Sequence, residues 1–183
     1  MAFPTSISAS QFSALAISND ATASATAIGA PNETNFIAAF DTASDYDEII
    51  NIRDMPSFGT PANIVKVPVY GQAQTQSIGA QSDAPDLELT INYVPSEWAA
   101  GSTLGDYVAD GLAKVFQFSL LPANPADLAT NGAAGVLKDV PNANIYFVGK
   151  IESLLVNPSR DDASTATVAL SIQSDFYGPY TVG

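Results

Sequence analysis

One segment limits the possible folds of this chain more than any other. Residues 45–98 read as a β-hairpin whose connection is far too long for a hairpin. The segment opens with DYDEIINIRDMPSFGTPANIVKVPVYG, passes through the polar stretch QAQTQSIGAQSDAP, and resumes as DLELTINYVP. In the last piece Leu87, Leu89, Ile91 and Tyr93 alternate with Asp86, Glu88, Thr90 and Asn92. A period of two describes a strand with one buried and one wet face. Hairpin loops usually hold about two to five residues, and loops beyond about a dozen tend to carry a function. A long polar loop on a rigid sheet is therefore expected to be a docking device.

Similar signals place the other elements. Residues 48–54 and 64–70 are expected to be strands separated by the turn material Pro56-Ser57-Phe58-Gly59-Thr60-Pro61. Pro68 cannot donate a ladder hydrogen bond and belongs at an edge or a strand end. Thr103 at the N-cap position, with Asp106 as its capping-box partner, opens a helix with Leu104, Tyr107 and Val108 on one face, and Gly111 stops it. A strand over 115–121 precedes a Pro- and Gly-rich excursion over 122–144, with one short turn at 126–130. Strands over 145–156 and 165–174 pair across Asn157-Pro158-Ser159-Arg160-Asp161-Asp162, with Val168, Leu170 and Ile172 inward. Thr167, Ala169, Ser171 and Gln173 then face out.

The ends are harder to place. Residues 1–45 are rich in Ala, Ser and Thr and read as an N-terminal arm with a first strand around 36–40. Residues 46–176 form the domain, and 177–183 are a C-terminal tail whose aromatics have no evident core to enter. The fold class expected is mainly β, a β-sandwich or half-open barrel of about six to seven strands with one packed helix. A long hairpin loop and extended termini complete it.

Composition excludes several functions. The chain carries 19 acidic and 6 basic residues, a formal charge of −13. Arg53, Lys66, Lys114, Lys138, Lys150 and Arg160 are isolated from one another, so no basic patch for phosphate binding is expected. With 46% apolar and 14% charged residues the chain holds enough core material to fold. It has no histidine and no cysteine, which removes Ser-His and Cys-His nucleophiles, disulfides and tetrahedral zinc sites. Neither a P-loop nor a dinucleotide glycine pattern is present. MAFPTSISAS lacks a basic start and an apolar core, so no secretory leader is expected. No apolar run reaches membrane-spanning length, and the Asn32-Glu33-Thr34 sequon has no secretory context.

Carboxylate pairs remain at Asp45 with Asp47, at Asp83 with Asp86 and Glu88, and at Asp161 with Asp162. Turn carboxylates generally serve the backbone, which is the reading preferred for Asp161 and Asp162. Calcium at Asp83, Asp86 and Glu88 stays as the lesser alternative. Trp98 reads as a core or interface plug rather than a sugar platform. No catalytic residue, cofactor or metal is expected.

The order Ile49-Ile50-Asn51-Ile52-Arg53-Asp54-Met55-Pro56, GTPANIVKV, Gly79, LELTINYVP and a helix after Trp98 carries a resemblance. Phe118-Ser119-Leu120-Leu121-Pro122, IYFVGKIESLLVNP, SRDDAS and TATVALSIQS complete it. In this layout the chain resembles the major tail tube proteins of phages with long, non-contractile tails (the siphovirus type). That resemblance implies a structural virion protein, assembled in the host cytoplasm into the virion tail. It implies a homo-oligomer of hexameric rings stacked into a DNA-conducting tube, in which strands of neighbouring subunits join into one barrel. Tape measure and terminator proteins are the implied partners, with DNA passing through without specific binding and no membrane involved. Glu48, Glu88, Thr90 and Asn92 are the candidates for the lumen side. Gln72, Ile78, Gly79, Asp83 and Pro85 are the candidates for the inter-ring loop, with Ile78 as its apolar anchor. A β-sandwich binding module (an adhesin or carbohydrate-binding domain) and a head–tail connector are the alternatives.

Overall fold

The structure, a computed structural model, describes residues 14–41, 44–49, 51–57, 59, 64–67, 70, 76–79, 86–120, 144–160 and 162–180. The strands are β1 (Ala14–Ser18), β2 (Tyr46–Ile49), β3 (Ile52–Asp54), β4 (Ile64–Val67), β5 (Gln76–Gly79) and β6 (Asp86–Asn92). They continue with β7 (Lys114–Ser119), β8 (Asn144–Asn157), β9 (Thr165–Ile172) and β10 (Tyr177–Tyr180). The helices are α1 (Ala21–Gly29), α2 (Glu33–Ala38) and α3 (Thr103–Asp110). Eight strands form one sheet in the order β2-β1-β7-β8-β9-β6-β3, with β10 added on β8. Every pairing is antiparallel.

β2 and β3 end that order on opposite sides, yet they follow one another in the chain. Consecutive Cα atoms lie ~3.8 Å apart, so Ile49 and Ile52 are within about 11 Å of each other. The sheet must therefore curl until its end strands approach, a half-open roll with no β2–β3 ladder. A single strand over 48–54 was expected; it is split at Asn51, whose φ of 61° is left-handed. Asparagine tolerates that region better than most residues. The Asn51 carbonyl accepts the Asn92 N–H at 2.8 Å, which fixes the break against β6.

The concave side of the roll holds the main core. Leu15, Ile17, Ile49, Leu87, Leu89, Ile91, Phe116, Phe118, Phe147, Val168 and Leu170 meet there, all buried. Phe116 and Phe147 stack with ring centroids 5.1 Å apart. The expected alternation on β6 and β9 holds residue by residue. Helix α3 plugs the mouth with Leu104, Tyr107 and Val108, beside Trp98, which is a core residue as expected. Its N-cap is Ser102 rather than Thr103: the Ser102 hydroxyl accepts the Gly105 N–H, and Asp106 accepts the N–H of Gly101. Gly111 ends the helix at a φ of 61°, a conformation that suits glycine.

Part of the convex side has a second core. Ala16, Val115, Tyr146 and Val148 point outward from β1, β7 and β8 and are covered by Ala27, Phe36, Ala39 and Phe40 of the α1–α2 layer. Residues 14–41, expected as an arm with one strand at 36–40, thus supply a central strand and two helices. Asp20 caps α1 by accepting from Thr22 and Ala23, and Asn32 caps α2 by accepting from Asn35. Phe36 and Phe40 are four residues apart, a helical rather than a strand period. The small residues of α1 let it lie close to the sheet, with Ser24 donating to Ser18 at 2.8 Å. The expected C-terminal tail is also built in. Tyr177 and Tyr180 belong to β10, and their rings lie against Phe36 and Tyr146.

The long hairpin is differently wired. β6 pairs with β3, and β4 pairs with β5 as a separate two-stranded ribbon. The connection between the hairpin strands is therefore residues 55–85, and Ile78 and Gly79 lie on β5 rather than in a loop. Pro68 and residues 122–143 of the expected excursion lie outside the described residues, and Asn144, expected to close it, opens β8 instead.

Because Phe36 is fully buried against Tyr146 and Tyr177, Phe36→Ala is expected to destabilise the protein by about 3–5 kcal/mol in urea unfolding. A loosely attached arm predicts a change near zero.

Candidate assembly surface

Beyond the α1–α2 layer no other described element covers the convex side of the sheet. There β8, β9 and β6 run side by side, and their registers align outward residues in rows. Lys150, Ser171 and Asp86 form one row, then Ser153, Ala169 and Glu88. Leu155, Thr167 and Thr90 form the next, and Asn157, Thr165 and Asn92 the last. The inward neighbours Leu87, Leu89, Ile91, Ala166, Val168 and Leu170 are all buried, so the core locks the orientation of this face. A one-residue slip would exchange the two faces.

The face is polar and its central side chains are short. Glu152, at the bulge between Ile151 and Ser153, accepts from the Ser171 hydroxyl at 2.7 Å and from Lys150 Nζ at 3.1 Å. The Ser171 bond first, and Lys150 second, hold its carboxyl below the usual range. Asp86 and Glu88 stand exposed on the same face. Of the four lumen candidates the structure brings Glu88, Thr90 and Asn92 together on β6. Glu48 also points away from the main core and is exposed, but on β2, with four strands between in the sheet order. Of the inter-ring candidates, Ile78 and Gly79 lie on β5, while Gln72, Asp83 and Pro85 lie outside the described residues.

Glu48 borders a cleft of about 200 Å³ with Asp47, Glu97, Ser102 and Leu104 at the start of α3. Asp47 accepts the Tyr107 hydroxyl at 2.7 Å and the Asn19 amide at 3.2 Å. Lys114 reaches over the Tyr107 ring, 4.9 Å from its centroid, and pairs with Asp110 at 3.4 Å. These links clamp α3 to β2 and β7. Among the described residues no cluster of three acidic side chains is placed to hold a metal ion; Asp86 and Glu88 line a strand face. Asp162 serves its turn as expected, accepting from the Ala163 N–H at 2.8 Å, and Asp161 lies outside the described residues. No helix among the described residues is long and apolar enough to cross a membrane.

Sequence reasoning missed Lys150, Ser153, Leu155 and Asn157 as part of this face. The apolar run Leu154-Leu155-Val156 breaks the period of two and was the available signal.

Burial foremost, and then the hydrogen bond to Asp47, raise the Tyr107 phenol well above its ordinary value. Folding therefore favours the neutral phenol. That stabilisation is complete below about pH 10 and is lost as pH climbs toward the folded-state value. Tyr107→Phe is expected to lower stability by about 1 kcal/mol at pH 7 and to shrink the further loss between pH 9 and 11. Urea unfolding across that range checks it; an unchanged alkaline loss would contradict the assignment. Burial also raises Tyr146, so part of the loss remains.

No protein-family model and no curated protein matches the sequence. Solved structures do match the fold. A chain of an extracellular contractile injection system, the PVC sheath/tube terminator in its extended state, aligns over 97% of this chain and 98% of its own. Its TM-score is 0.54 at 11% identity. A chain of the anti-feeding prophage baseplate aligns over 97% of both chains, with a TM-score of 0.55 at 12% identity. The anti-feeding prophage tube terminating cap aligns over 97% of this chain and 93% of its own, with a TM-score of 0.50 at 10% identity. Over nearly its whole length, the chain shares its fold with components of an extracellular contractile injection system and of the anti-feeding prophage.

Proposed function

We propose that this chain is a structural, non-enzymatic tail protein, the repeating subunit of a tail tube built of stacked hexameric rings. The observation that carries the reading is the convex face of β8, β9 and β6, uncovered among the described residues, polar and small-residued on a rigid sheet. Such a face suits a channel wall. In the tube it lines the lumen with Glu88, Thr90 and Asn92, and Glu48 joins them where the roll nearly closes. Carboxylates and a near absence of Lys and Arg repel DNA phosphates, so the genome slides without specific binding. The setting is the tail of a virion with a long non-contractile tail, assembled in the host cytoplasm with tape measure and terminator proteins.

A second reading is a terminating ring that caps the tube, favoured by the fold likeness to a sheath/tube terminator and a tube terminating cap. Both readings require rings; they differ in growth. Electron microscopy and light scattering of the purified protein at rising concentration are expected to show hollow tubes that lengthen. Rings that never stack would favour the terminator. A strictly monomeric protein would leave a binding module such as an adhesin as the surviving alternative.

The excursion over residues 55–85, with its β4–β5 ribbon, contacts the adjacent ring in this reading. β4 and β5 pair with each other and not with the main sheet, and surface excursions are removed at little cost to the parent fold. Replacing residues 58–84 with a short Gly-rich turn is expected to leave a cooperatively folded subunit that forms rings but not tubes. Long tubes from that variant would assign the inter-ring contact elsewhere.

A further inference from the structure

We propose that the convex core holds ordered water, one molecule or a hydrogen-bonded pair, bound between the Asn144 amide and the Tyr146 hydroxyl of β8. The site is independent of the tube reading.

Among the described residues, two buried side-chain polar atoms have no partner in the protein, Asn144 Nδ2 and Tyr146 Oη. Asn144 is 1% exposed and Tyr146 0%. They stand two residues apart on one strand, so their side chains leave the same face, with Cα atoms about 7 Å apart. A gap of that scale is bridged by one or two water molecules.

The surroundings explain why protein atoms do not meet this demand. Tyr146 is enclosed by Phe36 and Phe40 of the helical layer and by Tyr180 of β10, with ring centroids at 5.4, 5.8 and 6.0 Å. The rings of Phe36 and Phe40 present no hydrogen-bonding atom. Asn144 faces Ser119 across the β7–β8 pair, and the Ser119 hydroxyl donates to Asn144 Oδ1 at 2.7 Å. That bond satisfies one end of the amide. Turning the amide over would exchange Oδ1 and Nδ2 and leave the other end open. On the opposite side β10 presses close: a Cβ added at Gly178 would lie 2.6 Å from the Asn144 carbonyl oxygen. There β10 meets Asn144 with bare backbone.

A buried N–H or hydroxyl left unbonded costs more than a typical hydrogen bond contributes. In native proteins such groups are almost always bonded, to protein or to ordered water. Water suits this pair. Burial holds the Tyr146 phenol above its ordinary range, so it stays neutral and can both donate and accept. Water that accepts from Asn144 Nδ2 and bonds to Tyr146 Oη satisfies both groups. The Ser119 hydroxyl, which donates to Asn144, can accept a third bond, and about three is usual for a buried water.

Tyr146→Phe removes the hydroxyl and keeps the ring, and the sign of its effect is diagnostic. If Oη binds water, the variant loses that bond and leaves the water a partner short, and its urea midpoint is expected to fall. If Oη is buried without any partner, its removal relieves a penalty, and the midpoint stays or rises. A high-resolution crystal or cryo-electron microscopy structure of the full chain is expected to show ordered water within about 3.2 Å of both the Asn144 amide and Tyr146 Oη. That density together with a lowered midpoint supports the site. An unchanged or raised midpoint overturns it. So does a structure in which either group lacks water, or in which Tyr146 Oη bonds directly to a protein atom.

Discussion

A strand of 14 residues cannot be covered along its whole length by a neighbour of six, and that mismatch at β8 organises the molecule. Its first half lies between β7 and β10, with Phe147 in the main core and Tyr146 and Val148 under the helices. Both faces of that half are buried, and it anchors the two cores to each other. The second half keeps β9 as its one described partner strand and extends past the end of β7. From this single overhang come the three-strand strip of β8, β9 and β6 and, among the described residues, an uncovered polar face and an edge without a partner strand.

The layer that covers the convex face ends where the strip begins. α1 and α2 reach Val115, Tyr146 and Val148, and nothing equivalent lies over Thr90, Thr167 or Leu155 among the described residues. A face left this polar does not need a cover for stability, because Thr, Ser and Ala expose little apolar surface. The half-open roll then presents two kinds of surface at once: a solvated wall of short side chains, and strand edges with no partner strand among the described residues. Full closure within one chain is one way to remove edges, and this roll stops short of it, with no β2–β3 ladder.

Much of this was legible in the residues. The period of two on β6 and β9 gave their buried faces, and Leu104, Tyr107 and Val108 gave the packed side of α3. Three features were not legible, each because a non-local or single-residue effect won. The left-handed Asn51 splits what reads as one continuous strand and sends its halves to opposite edges of the sheet. The Ala- and Ser-rich N-terminus reads as surplus, since small residues give a weak periodic signal, yet it docks on Tyr146 because small residues allow close approach. Finally, Ile64–Val67 has a strand-like composition that cannot say which strand it joins; β5 is nearer in sequence than β6 and closes the shorter loop. Of the proposed surface, Glu88, Thr90 and Asn92 followed from alternation alone, whereas Leu155 required the registers of three strands.

The decisive experiment is amide hydrogen exchange on the assembled and the dispersed protein. Backbone amides of an unpaired edge exchange at rates set by local opening, and a new ladder slows them. On assembly into tubes, amides at the edges of the sheet are predicted to gain protection, while those of β9, already paired on both sides, change little. If assembly leaves every described amide exchanging as it does in the free subunit, copies do not join through the sheet, and the tube reading is contradicted.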